Sequence, residues 1–149
     1  MNHLSSRKES HDLIELMNKH RLSLVVGTAG GGKSSVIYQT VKELQSQDAE
    51  VLAFRLDRHE SFRSVDELGT QLGLPDSPIV SLLRAADGRD AFLVIDQLDA
   101  VSRASGRMSE RYDVIADLID EAKAFESVKV ILVCRLFDVE NDYRIRDLA

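Results

Sequence analysis

The stretch GTAGGGKSS occupies residues 27–35 and directly follows the mostly apolar run LSLVV. Four glycines fall within six residues, so the backbone is unusually free at the end of a predicted strand. Apolar residues then recur with a helical period, which predicts a helix over residues 33–47. The face of that helix is formed by Val36, Ile37, Thr40, Val41 and Leu44. A strand, a glycine-rich turn and a helix therefore follow one another.

Residues 27–34 match G-x-x-x-x-G-K-[ST], the pattern of a phosphate-binding loop. Consecutive backbone N–H groups must point inward to surround a triphosphate, and glycine leaves their approach open. The loop ends at a helix N-terminus, where unpaired N–H groups and the helix dipole favour an anion. A plain glycine-rich turn is the alternative, but the strand before it and the helix after it favour the phosphate loop.

The loop predicts ATP or ADP and Mg²⁺ as cofactors. We expect Lys33 to reach the β- and γ-phosphates, and Ser34 to offer its hydroxyl to Mg²⁺. Ser35 is expected to cap the helix or to pack. The residues predicted to contact the nucleotide are Gly27, Thr28, Ala29, Gly30, Gly31, Gly32, Lys33, Ser34 and Ser35.

A pair of acidic residues gives a second signal. The segment FLVIDQLD ends a predicted strand with Asp96, and Asp99 follows three residues later. A carboxylate at a strand tip can hold Mg²⁺, which is the Walker B role. An aspartate after a strand can also simply form a turn or cap a helix, and we favour the Mg²⁺ role for Asp96. Two roles remain open for Asp99: it can act on the attacking water, or it can cap the next helix.

Predicted strands and helices alternate along the whole chain. Further strands are VLAFRLD from Val51, AFLVID at residues 91–96 and VKVILVC at residues 128–134. Between them, Ser64 and Ser77 are predicted helix starts, and Gly73 and Gly88 are predicted helix ends. This pattern predicts a three-layer α/β/α fold with a mostly parallel sheet, and ligands bind beyond the carboxyl ends of such strands.

Composition narrows the function classes. The 149 residues suit one domain, and the net charge of −6, with no basic cluster, argues against direct nucleic-acid binding. No apolar run approaches the roughly 20 residues that a membrane span needs, so no membrane partner is expected. The single cysteine, Cys134, suits a reducing cytoplasm, where we expect the protein to reside.

The segment LVCRLFD places Arg135 directly after the fourth predicted strand. In the additional-strand class of P-loop proteins this strand lies between the phosphate-loop strand and the Walker B strand. A guanidinium at its tip can sense the γ-phosphate and stabilise charge during transfer. The alternative is a surface ion pair with Asp138 or Glu140.

The segments GTAGGGKS, LVIDQLD and LVCRLFD together resemble the STAND class of P-loop NTPases, signal-transduction relatives of AAA+ ATPases that include NACHT proteins. The resemblance extends from residue 22 onward. It implies strand order 1-4-3-2 and a switch between Mg·ATP and ADP states, with Asp96, Asp99 and Arg135 as catalytic residues. Gln97 departs from the glutamate of many hydrolytic relatives, so the catalytic base stays open.

The resemblance also implies that residues 1–149 form a single nucleotide-binding core that stops before a fifth strand and a lid. Residues 1–10 are expected to form a disordered N-terminal tail. Self-association, or contact with other domains, would then cover the edge of the first strand. The isolated segment is expected to bind nucleotide weakly and hydrolyse it slowly. The alternatives are a small kinase-type phosphotransferase and a degenerate domain that binds nucleotide as a structural support.

Overall fold

The computed structural model describes residues 12–27, 33–56, 62–98, 110–135, 139–140 and 147–148. The predicted tail at residues 1–10 lies outside this part of the chain. The helices and strands, in chain order, are α1 (residues 12–19), β1 (Leu22–Gly27), α2 (Lys33–Ser46), β2 (Glu50–Arg55), α3 (Val65–Gln71), α4 (Pro78–Ala86), β3 (Ala91–Asp96), α5 (Glu110–Lys123) and β4 (Val128–Arg135).

The four strands of the described chain form one parallel sheet in the order β1-β4-β3-β2. This is the strand order that the sequence predicts. The strands β1 and β3 are both hydrogen-bonded to β4, so β4 lies between the strand that precedes the glycine loop and the strand that ends at Asp96. Because all four strands run in one direction, their carboxyl ends share one edge of the sheet.

Helices cover both faces of the sheet. One face, called here the α2 face, packs against α1 and α2, and the opposite face packs against α3, α4 and α5. The core on the α2 face contains Leu13, Ile14, Met17, Val36, Ile37, Leu44, Phe92, Val94, Ile131 and Val133. Alternate residues of β3 and β4, such as Leu93 and Leu132, belong to the core on the opposite face. This is the predicted three-layer arrangement.

The helix ends follow local sequence signals. The Ser64 hydroxyl accepts a hydrogen bond from the Glu67 backbone N–H at 3.1 Å, which starts α3. Gly73 adopts φ +75° after α3, and the N–H of Leu74 donates to the Gly69 carbonyl at 2.9 Å. This pairing is the Schellman arrangement that glycine permits after a helix. The predicted stop at Gly73 is therefore confirmed.

The predicted helix start at Ser77 is confirmed with an unexpected hydrogen bond, and one apolar helix face differs from its sequence pattern. Ser77 stands at the N-cap of α4 before Pro78, but its hydroxyl donates to Glu121 Oε1 at 3.1 Å and does not cap the helix. This bond joins α4 to α5. In the sequence, the apolar residues Leu13, Ile14, Leu16 and Met17 are spaced for a helix. In the structure Leu16 is 42% exposed, whereas Met17 is buried. The apolar contacts of α1 with the sheet therefore come from a narrower stripe than the sequence predicts.

Candidate functional site

The alternation of side chains along the strands brings three charged residues to one face at the carboxyl edge. Asp96 has the same parity in β3 as Val94, whose side chain packs in the core of the α2 face. Arg135 likewise follows Val133 by two residues in β4. Arg55, the last residue of β2, lines a cavity on this face together with Asp96. The α2 face thus carries both candidate catalytic residues that the structure describes, together with a third charge.

Strand register fixes which residues are neighbours at this edge. Gly27, where the glycine loop begins, is aligned with Arg135. Arg55 is aligned with Asp96 in the β2–β3 pair. Neighbouring strands lie about 4.8 Å apart, so each pair is in direct lateral contact. The backbone of Arg135 therefore lies one strand spacing from Gly27, where the predicted phosphate loop begins.

Asp96 is held by the residue that follows it. Its Oδ1 accepts a hydrogen bond from the Gln97 backbone N–H at 2.8 Å. Gln97 adopts φ 59°, in the left-handed region that non-glycine residues seldom occupy. The turn directly after β3 thus orients the carboxylate, and the side chain stays partly accessible at the sheet edge.

The donor set at this edge fits Mg²⁺ bound together with phosphates. No group of three His, Cys, Asp or Glu side chains comes together within the described ranges to hold a metal by protein ligands alone. Mg²⁺ is typically bound by one or two carboxylates, with waters and substrate phosphates completing its shell. Asp96 is one partly accessible carboxylate, two strands from β1 and the predicted start of the phosphate loop, and a single carboxylate suits that mode.

Helix α2 begins at Lys33, directly after the glycine loop. Its backbone therefore starts where an anion-binding helix N-terminus is predicted. Other parts of the predicted site lie outside the described residues: Thr28, Ala29, Gly30, Gly31, Gly32 and Asp99, together with the side chains of Lys33, Ser34 and Ser35. Their assigned roles remain predictions.

A cavity of about 420 Å³ opens beside Asp96 at the carboxyl ends of β2 and β3. Its apolar lining residues in the described chain are Ile37, Ala53, Phe54, Leu72 and Val94, and its charged lining residues there are Arg55 and Asp96. The cavity lies on the β2 side of Asp96, away from β4 and β1 in the sheet.

A family model, that of novel STAND NTPase 1, matches residues 6–145. The chain belongs to the novel STAND NTPase 1 family. This membership agrees with the STAND resemblance of the sequence motifs, and it identifies the chain as a nucleotide-binding NTPase domain. No curated protein matches this STAND domain in sequence.

Among solved structures, this STAND domain is similar to the ORC2 protein of Aeropyrum pernix, described in ADPNP-ADP complexes. The TM-score is 0.58 at 14% sequence identity, and the match covers 94% of this chain and 43% of ORC2. The likeness shows a shared fold, and the STAND domain spans less than half the length of that chain. None of the helices in the described ranges is both long and apolar enough to cross a membrane.

Sequence reasoning missed two features of this site. Arg55 receives no role from the motifs, because only the β2–β3 register places it beside Asp96. The left-handed turn at Gln97 is also absent from the sequence signals, since glutamine is not a residue that favours positive φ. A signal for Arg55 did exist, because it is a charged residue at the predicted carboxyl end of an apolar strand.

Proposed function

We propose that this STAND domain binds ATP with Mg²⁺ and hydrolyses it slowly, as the nucleotide-dependent switch of a regulatory protein. The observation that carries the proposal is the register that sets Arg135 beside Gly27, on the same sheet face as Asp96. A positive charge at that position is suited to detect whether a γ-phosphate is present. The fold shared with ORC2, described with ADPNP and ADP, supports adenine nucleotides as ligands.

Each residue has a distinct role in this proposal. The backbone of the glycine loop binds the phosphates, and Lys33 neutralises charge on the β- and γ-phosphates. Ser34 and Asp96 hold Mg²⁺, which when bound draws charge from the phosphate oxygens. Arg135 stabilises the charge that grows on the γ-phosphate during transfer, and Asp99 is the candidate to orient the attacking water.

Calorimetric titration with ATP, in Mg²⁺ and in EDTA, tests nucleotide binding. In Mg²⁺ we expect Lys33→Ala to weaken binding by at least about tenfold, since a charge-assisted contact contributes about 1.5–3 kcal/mol. Asp96→Asn should remove the Mg²⁺ dependence and leave binding in EDTA unchanged. The matched control is Asp113→Asn, an exposed carboxylate on α5. Because the isolated chain is expected to bind weakly, backbone amide shifts of residues 27–35 give a second measure, and no shift at saturating Mg·ATP would refute the proposal.

The fate of labelled γ-phosphate separates hydrolysis from transfer. We expect inorganic phosphate to be released slowly, and label on a small acceptor would instead show a phosphotransferase. If the domain binds nucleotide only as a structural support, its ATP-bound and ADP-bound forms should have the same conformation. Lys33→Ala should then lower the thermal stability measured in ATP and have no other effect.

A further inference from the structure

The strand β1 has one open edge. Among the described strands it pairs only with β4. The Arg21 carbonyl, just before β1, accepts a hydrogen bond from the Val130 N–H of β4 at 2.8 Å. Backbone groups of successive residues point to alternate sides of a strand. The N–H and C=O groups of Leu22, Leu24 and Val26 therefore point away from β4, where a further strand can bond them.

The side chains of these three residues form an apolar stripe, called here the β1 stripe. Leu22 and Leu24 pack against the core of the sheet face that α3, α4 and α5 cover, called here the α5 face. Val26 follows Leu24 by two residues and so lies on the same face. It is 39% exposed at the carboxyl end of the strand. The β1 stripe thus ends in an apolar side chain that the described chain leaves partly uncovered.

An apolar cavity lies at the other end of the β1 stripe, on the same face. It measures about 260 Å³ and opens beside the amino ends of β1 and β4. Its apolar lining residues in the described chain are Leu22, Ile119, Ala122, Val128 and Val130. A cavity of this size accommodates a valine side chain. Along β1, the exposed Val26 and the cavity therefore lie on opposite sides of Leu24.

The two basic residues that also line the cavity are engaged within their own chain. The Arg21 guanidinium donates to the backbone carbonyls of Lys123 at 2.7 Å and Phe125 at 2.8 Å, at the end of α5. The Lys123 Nζ lies 3.9 Å from Asp120 Oδ1. Both charges in the described lining thus have partners, so the cavity suits an apolar side chain.

Two copies of the chain fit together at this edge. In an antiparallel pair centred on Leu24, Leu22 of one copy faces Val26 of the other. A two-fold axis perpendicular to the sheet keeps both α5 faces on the same side, so each Val26 meets the cavity beside the other copy's Leu22. A surface that complements itself in this way is what a two-fold interface requires.

We propose that β1 is a homodimer interface, in which two β1 strands pair antiparallel about Leu24 and each Val26 packs at the cavity of the partner subunit. The pairing joins the two four-stranded sheets into one. Apolar cross-strand contacts of Leu24 with Leu24 and of Leu22 with Val26 stabilise it, and each facing pair exchanges two backbone hydrogen bonds. The interface is independent of nucleotide binding, so its failure would leave the proposed function unchanged.

Cysteine crosslinking tests the register. Leu24→Cys should form a disulfide-linked dimer on mild oxidation, because the Cα atoms of a facing pair lie about 5.5 Å apart, within the disulfide range of about 4.4–6.8 Å. Leu22→Cys and Val26→Cys should each fail to crosslink alone, since equivalent residues would be more than about 13 Å apart, but their mixture should crosslink. The control is the parent chain, whose cysteine, Cys134, is buried.

Hydrogen exchange of the parent chain tests the edge without any substitution. As the protein concentration rises, the amides of Leu22, Leu24 and Val26 should become protected. The amides of Ser23 and Val25 face β4 and should be protected at every concentration. Protection of the three outward amides in a chain that stays monomeric would show that another segment of the same chain covers the edge, and the proposal would be overturned.

Truncating the exposed side chain tests the cavity. Val26→Ala should weaken the dimer at least about tenfold, because two valine side chains are shortened in each dimer. The matched control is Tyr38→Ala, which removes a side chain that is 64% exposed on α2 and should leave the dimer unchanged. Methyl resonances of Ile119 and Val130, which line the cavity, should shift as the parent chain associates. A dimer of Val26→Ala as stable as the parent's, unmoved cavity methyls, or a crosslink of Val26→Cys with itself would each show that the proposed pairing is wrong.

Discussion

At the scale of single residues, the carboxyl end of β3 shows how one backbone turn serves a candidate metal ligand. Gln97 occupies φ 59°, a conformation that costs a non-glycine residue roughly 1–2 kcal/mol. The hydrogen bond from its N–H to Asp96 Oδ1 offsets part of that cost. Strained residues often cluster at functional sites, and this one orients the carboxylate to which we assign Mg²⁺.

We predict that the stability of variants at Gln97 depends on how well each new residue tolerates a positive φ. Gln97→Val should lower the free energy of unfolding by about 1–2 kcal/mol, because a β-branched residue is poorly accommodated at positive φ. Gln97→Asn should stay within about 0.5 kcal/mol of the parent, since asparagine tolerates this region. Urea denaturation measures both. Equal effects of valine and asparagine would show that the turn is not under this constraint.

At the scale of elements, α3 contains a glycine, Gly69, whose presence the pattern of apolar residues in the helix does not explain. Gly69 is buried within α3, where the helix meets the connection to α4. A Cβ at this position would lie 2.3 Å from the Asp76 carbonyl oxygen and 3.2 Å from the Ser77 Cα. Because both neighbours are backbone atoms, neither can move aside as a flexible side chain would. Glycine is therefore required by the close approach of the two chain segments.

Gly69→Ala is predicted to destabilise the domain by about 2–3 kcal/mol, the upper part of the range of about 1–3 kcal/mol that is typical when a packed site is overfilled. Helix propensity alone predicts the opposite sign, since alanine favours a helix over glycine by about 1 kcal/mol. The comparison variant is Gly73→Ala, which meets nothing within 4 Å but has φ +75°, so it should cost only about 1–2 kcal/mol. Thermal unfolding of both variants decides between the two expectations, and a stabilised Gly69→Ala would disprove the packing argument.

The contrast between α5 and Gly69 shows which elements the sequence can predict. The stripe of Val114, Ile115, Leu118 and Ile119 is buried as its period indicates, because an amphipathic helix must turn its apolar face to the core. Strand order follows from the same apolar strands together with the family resemblance. The packing of Gly69 on Asp76 depends instead on how separate segments meet, which no local pattern contains.

The candidate site divides in the same way. Its motif residues, Asp96 and Arg135, were predicted at strand ends, and the structure places them at the carboxyl ends of β3 and β4. The cavity and Arg55 emerge only from register, since Arg55 and Asp96 are distant in sequence and neighbours in the sheet. The loop residues 28–32 and Asp99 lie outside the described chain, so their roles rest on the sequence.

At the scale of the whole molecule, the two edges of the described sheet differ in character. The edge strand β2 begins with Glu50 and ends with Arg55, and charges at an edge oppose pairing with another chain. The other edge strand, β1, reads LSLVVG and carries no charge. Its residue Val26 is 39% exposed. Of the two edges, β1 is therefore the one suited to accept a further strand, whether from another part of the protein or from a second copy.

We predict that the 149-residue chain self-associates through β1 as its concentration rises, and that Val26→Lys reverses this, because a lysine on an edge strand must lose its hydration in a paired sheet. Sedimentation velocity should show a concentration-dependent dimer for the parent and a monomer for Val26→Lys. Ala53→Lys, which adds the same charge at an exposed position of β2, should still dimerise. If the parent stays monomeric at all concentrations and the outward amides of β1 exchange freely with solvent, the β1 edge is open in solution and the predicted self-association is wrong. If both lysine variants dissociate the dimer equally, the added charge acts generally, and β1 is not the interface.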